Sequence, residues 1–140
     1  MTALALAACQ QTPEARLYQT QEEMLGQIKV DGFERVQIST FDKAAQGIYV
    51  GAPVDDVQSR VSGGGVTLGP AQYGTFWTGR EALYTGKGKA PDGTECTVYV
   101  ERLRAGERPD TTWGLSGRRA DEVAAGKQQI LIISATCGGA

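Results

Sequence analysis

At 140 residues and a net charge of −2, the chain has room for one domain and no basic stripe of the kind nucleic acid demands. Its 41% hydrophobic and 21% charged fractions suit a globular domain, and 19 Gly point to many tight turns. There is no run of roughly 20 apolar residues to span a bilayer as a helix. Histidine, the commonest general base and transition-metal ligand, is absent. Neither the cysteines nor the carboxylates show ligand spacing, so no catalytic residue, metal or cofactor is expected.

The chain begins with an Ala- and Leu-rich run ending in Cys9. Leu6-Ala7-Ala8-Cys9 resembles the lipobox of bacterial lipoproteins. That resemblance implies a lipidated Cys9 thiol, residues 1–8 as the end of a signal peptide, and Gln10-Gln11-Thr12-Pro13 as a polar tether. A complete signal peptide places a basic segment and a longer apolar stretch ahead of this run. Gln10 instead of Asp after the Cys implies an outer-membrane address on the periplasmic face. Two or three acyl chains would make the membrane the first partner. The residues alone leave a second reading open, in which Cys9 sits in the first turn of a buried helix.

Thr12-Pro13-Glu14 reads as N-cap, N1 and an acidic first turn of a helix that Gly26 stops. Leu17 with Met24, and Tyr18 with Leu25, give it a narrow apolar stripe. Residues 9–28 are therefore expected to form the tether and helix, and residues 29–140 a single domain. Asp31-Gly32 is a turn, and residues 33–39 alternate as a strand. FDKAAQG (41–47) is read as one helical turn closed by Gly47, and GIYVGAP as a short strand ending before Pro53. PVDDVQSRV (53–61) opens with Pro and acidic residues and is read as a short helix ended by SGGG (62–65). VGAPVDDVQSRV (50–61) resembles the segment of the BamE-type family of small envelope lipoproteins that leads from a glycine into a helix. Ser-Gly-Gly-Gly stands where that family carries Leu-Gly-x-Pro. The resemblance implies a three-stranded sheet behind a lipidated N-terminus.

Beyond Val66 the pattern is that of antiparallel sheet. Residues 81–103 hold two strands around Ala-Pro-Asp-Gly, TTWGLSG is read as a short strand, RRADEVAAG (118–126) as a short helix, and QQILIISATC (128–137) as the strongest strand. Strands follow strands without regular βαβ alternation. The expected class is α+β: a mostly antiparallel sheet, an N-terminal helix and two short helices.

An envelope address predicts oxidised cysteines. Period-2 alternation puts Cys96 with Val98 and Val100, and Cys137 with Leu131, Ile133 and Ala135. Each cysteine thus lies on an apolar strand face, so a Cys96–Cys137 disulfide is expected, with two buried free thiols as the alternative.

The candidate sites are few. SGGGVTLG (62–69) and TGKGKAPDG (85–93) are glycine-rich but lack the phosphate-loop pattern, and read as loops. Asp55-Asp56 and Asp121-Glu122 are adjacent on helices, so they point about 100° apart and suit the helix dipole better than paired acid–base work. Arg102, Arg104, Arg108, Arg118 and Arg119 read as solvated loop or strand-edge charges. Tyr73, Trp77 and Trp113 are either core or the candidate partner-binding surface. The expectation is a non-enzymatic envelope lipoprotein docking on a larger envelope assembly, with a protein partner there. An exposed Trp beside the arginines would favour it. The alternative is a periplasmic binding or inhibitory domain for a glycan, small ligand or protein, favoured by a concave pocket lined by Tyr and Trp.

Overall fold

The computed structural model describes residues 12–74 and 78–138; the stretch from Leu6 to Cys9, and Trp77, lie outside the described residues. Helix α1 spans Pro13–Gln27, with Pro at its first turn and the Thr12 hydroxyl accepting the Ala15 N–H at 3.0 Å. Strands β1 (Lys29–Val30), β2 (Phe33–Phe41) and β3 (Ala44–Gly51) follow, then α2 (Val57–Arg60), β4 (Val61–Ser62) and β5 (Thr67–Pro70). The chain continues through β6 (Arg80–Lys89), β7 (Glu95–Leu103), a 3₁₀ turn (Thr111–Trp113), α3 (Gly117–Ala124) and β8 (Gln129–Cys137). Six strands form one fully antiparallel sheet in the order β2-β3-β8-β7-β6-β5, and β1 pairs with β4 beside it. The α+β class is therefore as the sequence predicts. The sheet has six strands, against the three that the BamE-type resemblance implies.

Three local expectations are corrected. FDKAAQG makes no helical turn: Asp42 and Lys43 take φ of +47° and +66°, and the chain folds back as a β2–β3 hairpin. Two successive positive φ values are what a two-residue hairpin turn requires, and Asp tolerates them better than most residues. TTWGLSG begins as a 3₁₀ turn instead of a strand, because the Asp110 carboxylate accepts the Thr112 N–H at 2.8 Å and hydroxyl at 2.7 Å. The helix read over 53–61 shrinks to Val57–Arg60. Upstream of it, the Val54 N–H donates to Gln129 Oε1 at 2.9 Å, and this bond to β8 holds residues 53–55 out of the helix.

Strand β8 lies between two hairpins, β2–β3 on one side and β6–β7 on the other, and is buried on both faces. Its first face carries Leu131, Ile133, Ala135 and Cys137 against Met24 and Leu25 of α1 and its cap residue Ile28, with Tyr49, Val98 and Val100 alongside. Met24 and Leu25, on the apolar stripe of the expected helix, thus pack into the domain core. The free carbonyls at the end of α1 are capped by tertiary contacts: Tyr49 Oη donates to Ile28 O at 2.9 Å, and Arg35 Nη1 to Leu25 O at 3.2 Å. Gln21, 1% exposed, donates to Lys43 O at 3.1 Å and accepts the Cys137 N–H at 3.0 Å, joining helix, hairpin turn and the end of β8. At Gly63, φ is +109° and any Cβ would overlap the Gln27 carbonyl, so glycine alone lets this loop pass the end of α1.

The second face is covered over part of its area. Leu103, Trp113, Leu115 and Val123 close over Ile48, Val50, Ile130 and Ile132. Cys96 and Cys137 face each other directly across β7 and β8 and are disulfide-bonded, with S–S 2.09 Å.

Candidate functional site

Strand register places polar side chains in a row across the second face. Ser39 lies opposite Gln46, Gln46 opposite Ser134, Ser134 opposite Tyr99, and Tyr99 opposite Thr85. One pair further along, Ile48 lies opposite Ile132. The face therefore switches from apolar to polar within a single register step, and the apolar part is the part that Trp113, Leu115 and Val123 cover. At this boundary lies a cavity of about 280 Å³. Its β2–β3 side is formed by Gln37, Ser39, Thr40 and Gln46, and its opposite wall by Arg80, Asp110, Thr112 and Trp113.

The opposite wall is built around an ion pair. Arg80 Nη1 donates to Glu101 Oε1 at 3.2 Å, and both side chains are only 11% exposed. The Arg80 guanidinium also sits 5.2 Å from the Trp113 ring centroid, a cation–π distance. The second oxygen of Glu101 accepts the Tyr73 hydroxyl at 3.3 Å, and Tyr73 meets Tyr99 edge-on with centroids 5.4 Å apart. Burial, and then the Glu101 charge, push the Tyr73 phenol well above its ordinary range. Hydrogen bonds from the Thr112 N–H and hydroxyl hold the Asp110 carboxyl below the usual carboxylate range. Each ionisable group of this wall is thus fixed by a named partner. That is the preorganisation a recognition site needs.

Gln46 stands out on the strand side. It is 9% exposed, lines the cavity, and its carboxamide has no hydrogen-bond partner among the described residues. Its amide atoms are not sealed from solvent, so the carboxamide meets the cavity with its donors and acceptor open to whatever fills it. Thr85, at the far end of the row, carries a fully buried hydroxyl that likewise has no partner. Thr85→Val keeps the shape and β-branching and removes that group. It should raise stability by about 1 kcal/mol in urea unfolding with an unchanged m-value. A loss of stability would mean that the hydroxyl has a bonding partner after all.

The sequence-predicted residues are distributed as follows. Trp113 lines this cavity and is only 4% exposed, so it offers an edge inside a pocket, while half-buried Tyr73 is tied to the wall through Glu101. The arginines do not gather. Arg102 pairs with Glu81, Arg108 with Asp121, Arg118 with Glu122 and Arg119 with Glu34. Asp56 is bound by Arg60 and Ser59. The two glycine-rich stretches, read as loops, instead pair with each other as parts of β5 and β6, and the Lys89 N–H donates to Gly64 O at 2.9 Å beside a cavity of about 570 Å³. Among the described residues, no group of three or more His, Cys, Asp or Glu is placed to hold a metal ion.

Sequence reasoning missed Arg80, Glu101, Gln46 and Asp110. The one available signal was Glu101, a carboxylate on the same strand face as Thr97 and Tyr99. No protein-family model matches the chain, and no curated protein or solved structure matches it either.

Proposed function

We propose that this chain is a non-enzymatic binding domain of the bacterial cell envelope, tethered through a lipid on Cys9 at the periplasmic face of the outer membrane, with its binding site in the cavity between Gln46 and Arg80. The observation that carries the binding role is the Gln46 carboxamide, without a hydrogen-bond partner among the described residues, lining a cavity whose opposite wall is held by the Arg80–Glu101 pair and the Asp110–Thr112 bonds. Trp113 supports the second of the two readings of the sequence. An exposed Trp77 or Trp113 beside the arginines would favour a docking subunit, whereas Trp113 is buried in a concave wall and four of those arginines hold carboxylates elsewhere. The carboxylates beside the cavity support binding over chemistry, since Glu101 is held by Arg80 and Tyr73 and Asp110 by Thr112. The Cys96–Cys137 bond supports an oxidising compartment.

The address is tested by the intact mass of the protein made in a Gram-negative host from its own reading frame with upstream DNA. The expected species begins at Cys9, carries acyl groups and lacks the two hydrogens of one disulfide. An unmodified chain beginning at Met1 with free thiols would remove both the anchor and the envelope address.

A further inference from the structure

We infer that the cavity between Gln46 and Arg80 takes a neutral, polyhydroxylated ring, a single sugar unit of a glycan, with the Gln46 carboxamide as its central contact. This rests on the binding-domain reading above and adds the class of ligand.

Charge comes first. The Arg80 guanidinium is balanced by Glu101 at 3.2 Å, and Asp110 adds a further carboxylate to the same wall. A site for a phosphate or carboxylate ligand needs surplus positive charge, and this wall has none. Hydrogen-bonding capacity comes next. The carboxamide of Gln46 presents a donor and an acceptor side by side, and neighbouring sugar hydroxyls each offer both. Gln37 adds a second carboxamide, and the Thr112 hydroxyl, which donates to Asp110, keeps its lone pairs for an incoming donor. The Trp113 ring, buried and with the Arg80 guanidinium over it, supplies an apolar edge for the C–H groups of a sugar ring.

Size and shape agree. About 280 Å³ lies just below the ~300–1,000 Å³ that drug-sized ligands occupy, which is room for one ring and not for a chain. An extended peptide would add along the free edge of β2, which carries Gln37, Ser39 and Thr40, and a triglycine probe tests that occupant; Gln46 itself lies on β3, inside the sheet, and offers its side chain.

The test uses the full chain labelled with ¹⁵N and titrated with four probes: glucose, the N-acetylglucosamine dimer, glucuronate and triglycine. The expected result is movement of the Gln46 side-chain NH₂ and Trp113 indole resonances with one of the neutral sugars, and at most a weaker response to glucuronate. In Gln46→Met, which keeps the bulk and removes the hydrogen-bonding groups, sugar affinity should fall roughly tenfold or more. The free variant should at the same time melt no lower than the parent, since the amide makes no hydrogen bond to the described residues. That retained stability separates loss of a ligand contact from loss of folding. If glucuronate or triglycine moves these resonances and neutral sugars do not, the ligand class is wrong while the cavity remains a binding site. If sugars move only distant resonances, or no probe moves any, the assignment of a sugar to this cavity fails; in the second case the binding-domain reading loses its support as well.

Discussion

Reduction of the Cys96–Cys137 bond is expected to destabilise the domain by about 4 kcal/mol. The two cysteines are separated by 41 residues, and closing a loop of that length removes entropy from the unfolded chain worth roughly this much at 25 °C. A domain of this size has a total stability on the order of 5–15 kcal/mol, so the loss is a large fraction of the whole. The position of the bond explains why little else compensates. It pins the C-terminal end of β8 to β7 in direct register, and β8 is the strand through which the β2–β3 hairpin joins β6–β7. Without the bond, that end is held by ladder bonds, the Gln21 contact to the Cys137 N–H and the Gly138 N–H to Glu95 O. Urea unfolding of the oxidised and the dithiothreitol-reduced protein compares the same side chains with and without the cross-link. The midpoint should fall well below that of the oxidised form. A difference under about 1 kcal/mol would mean that the unfolded chain is already compact around this loop, against the entropic account.

How much of this was legible in the sequence depended on how local each signal is. Thr12-Pro13 starts α1 because capping is settled within one turn, and the helix begins where those residues put it. Alternation alone puts Cys96 and Cys137 on the apolar face they occupy, because a strand's side chains point by parity. The hairpin at Asp42-Lys43 was hidden because neither residue is the Asn-Gly or Asp-Gly that marks such turns. Reading 41–47 as a helical turn also discarded the parity of β3, and with it the direction of Gln46. The cavity itself had no local signature. It draws on β2, β3, the start of β6 and the 3₁₀ turn, and on Glu101 of β7 behind Arg80. Its decisive features, an ion pair between two strands and an amide that meets the cavity without a protein partner among the described residues, exist only once those segments meet.

Replacing Glu101 by Gln is expected to cost about 3 kcal/mol, toward the lower end for breaking a buried ion pair. The carboxamide keeps the shape and an acceptor for Tyr73, and removes the negative charge facing the Arg80 guanidinium. With both side chains only 11% exposed, solvent screens that loss poorly. The cost should therefore survive at high salt, where an exposed pair such as Arg108–Asp121 contributes little. Arg80→Met should cost a similar amount, while the double variant Arg80→Met with Glu101→Leu should recover much of it, because an apolar pair leaves no buried charge behind. Tyrosine absorbance gives a second readout that a general loss of stability would not imitate. Burial first, and the Glu101 charge second, raise the Tyr73 pKa above 10.0 in the folded protein. A group raised on folding contributes stability that is complete below its unfolded pKa and is lost as pH rises through the folded value. The parent protein should accordingly weaken above about pH 10. In Glu101→Gln the Tyr73 phenol should ionise at lower pH than in the parent, since one of its two main causes of elevation is gone. An Glu101→Gln variant within 0.5 kcal/mol of the parent, in ~0.1 M salt, would put the pair in the class of screened surface contacts. The wall carrying Arg80 and Trp113 would then be held by something other than Glu101, and the cavity would lose its claim to a preorganised polar face.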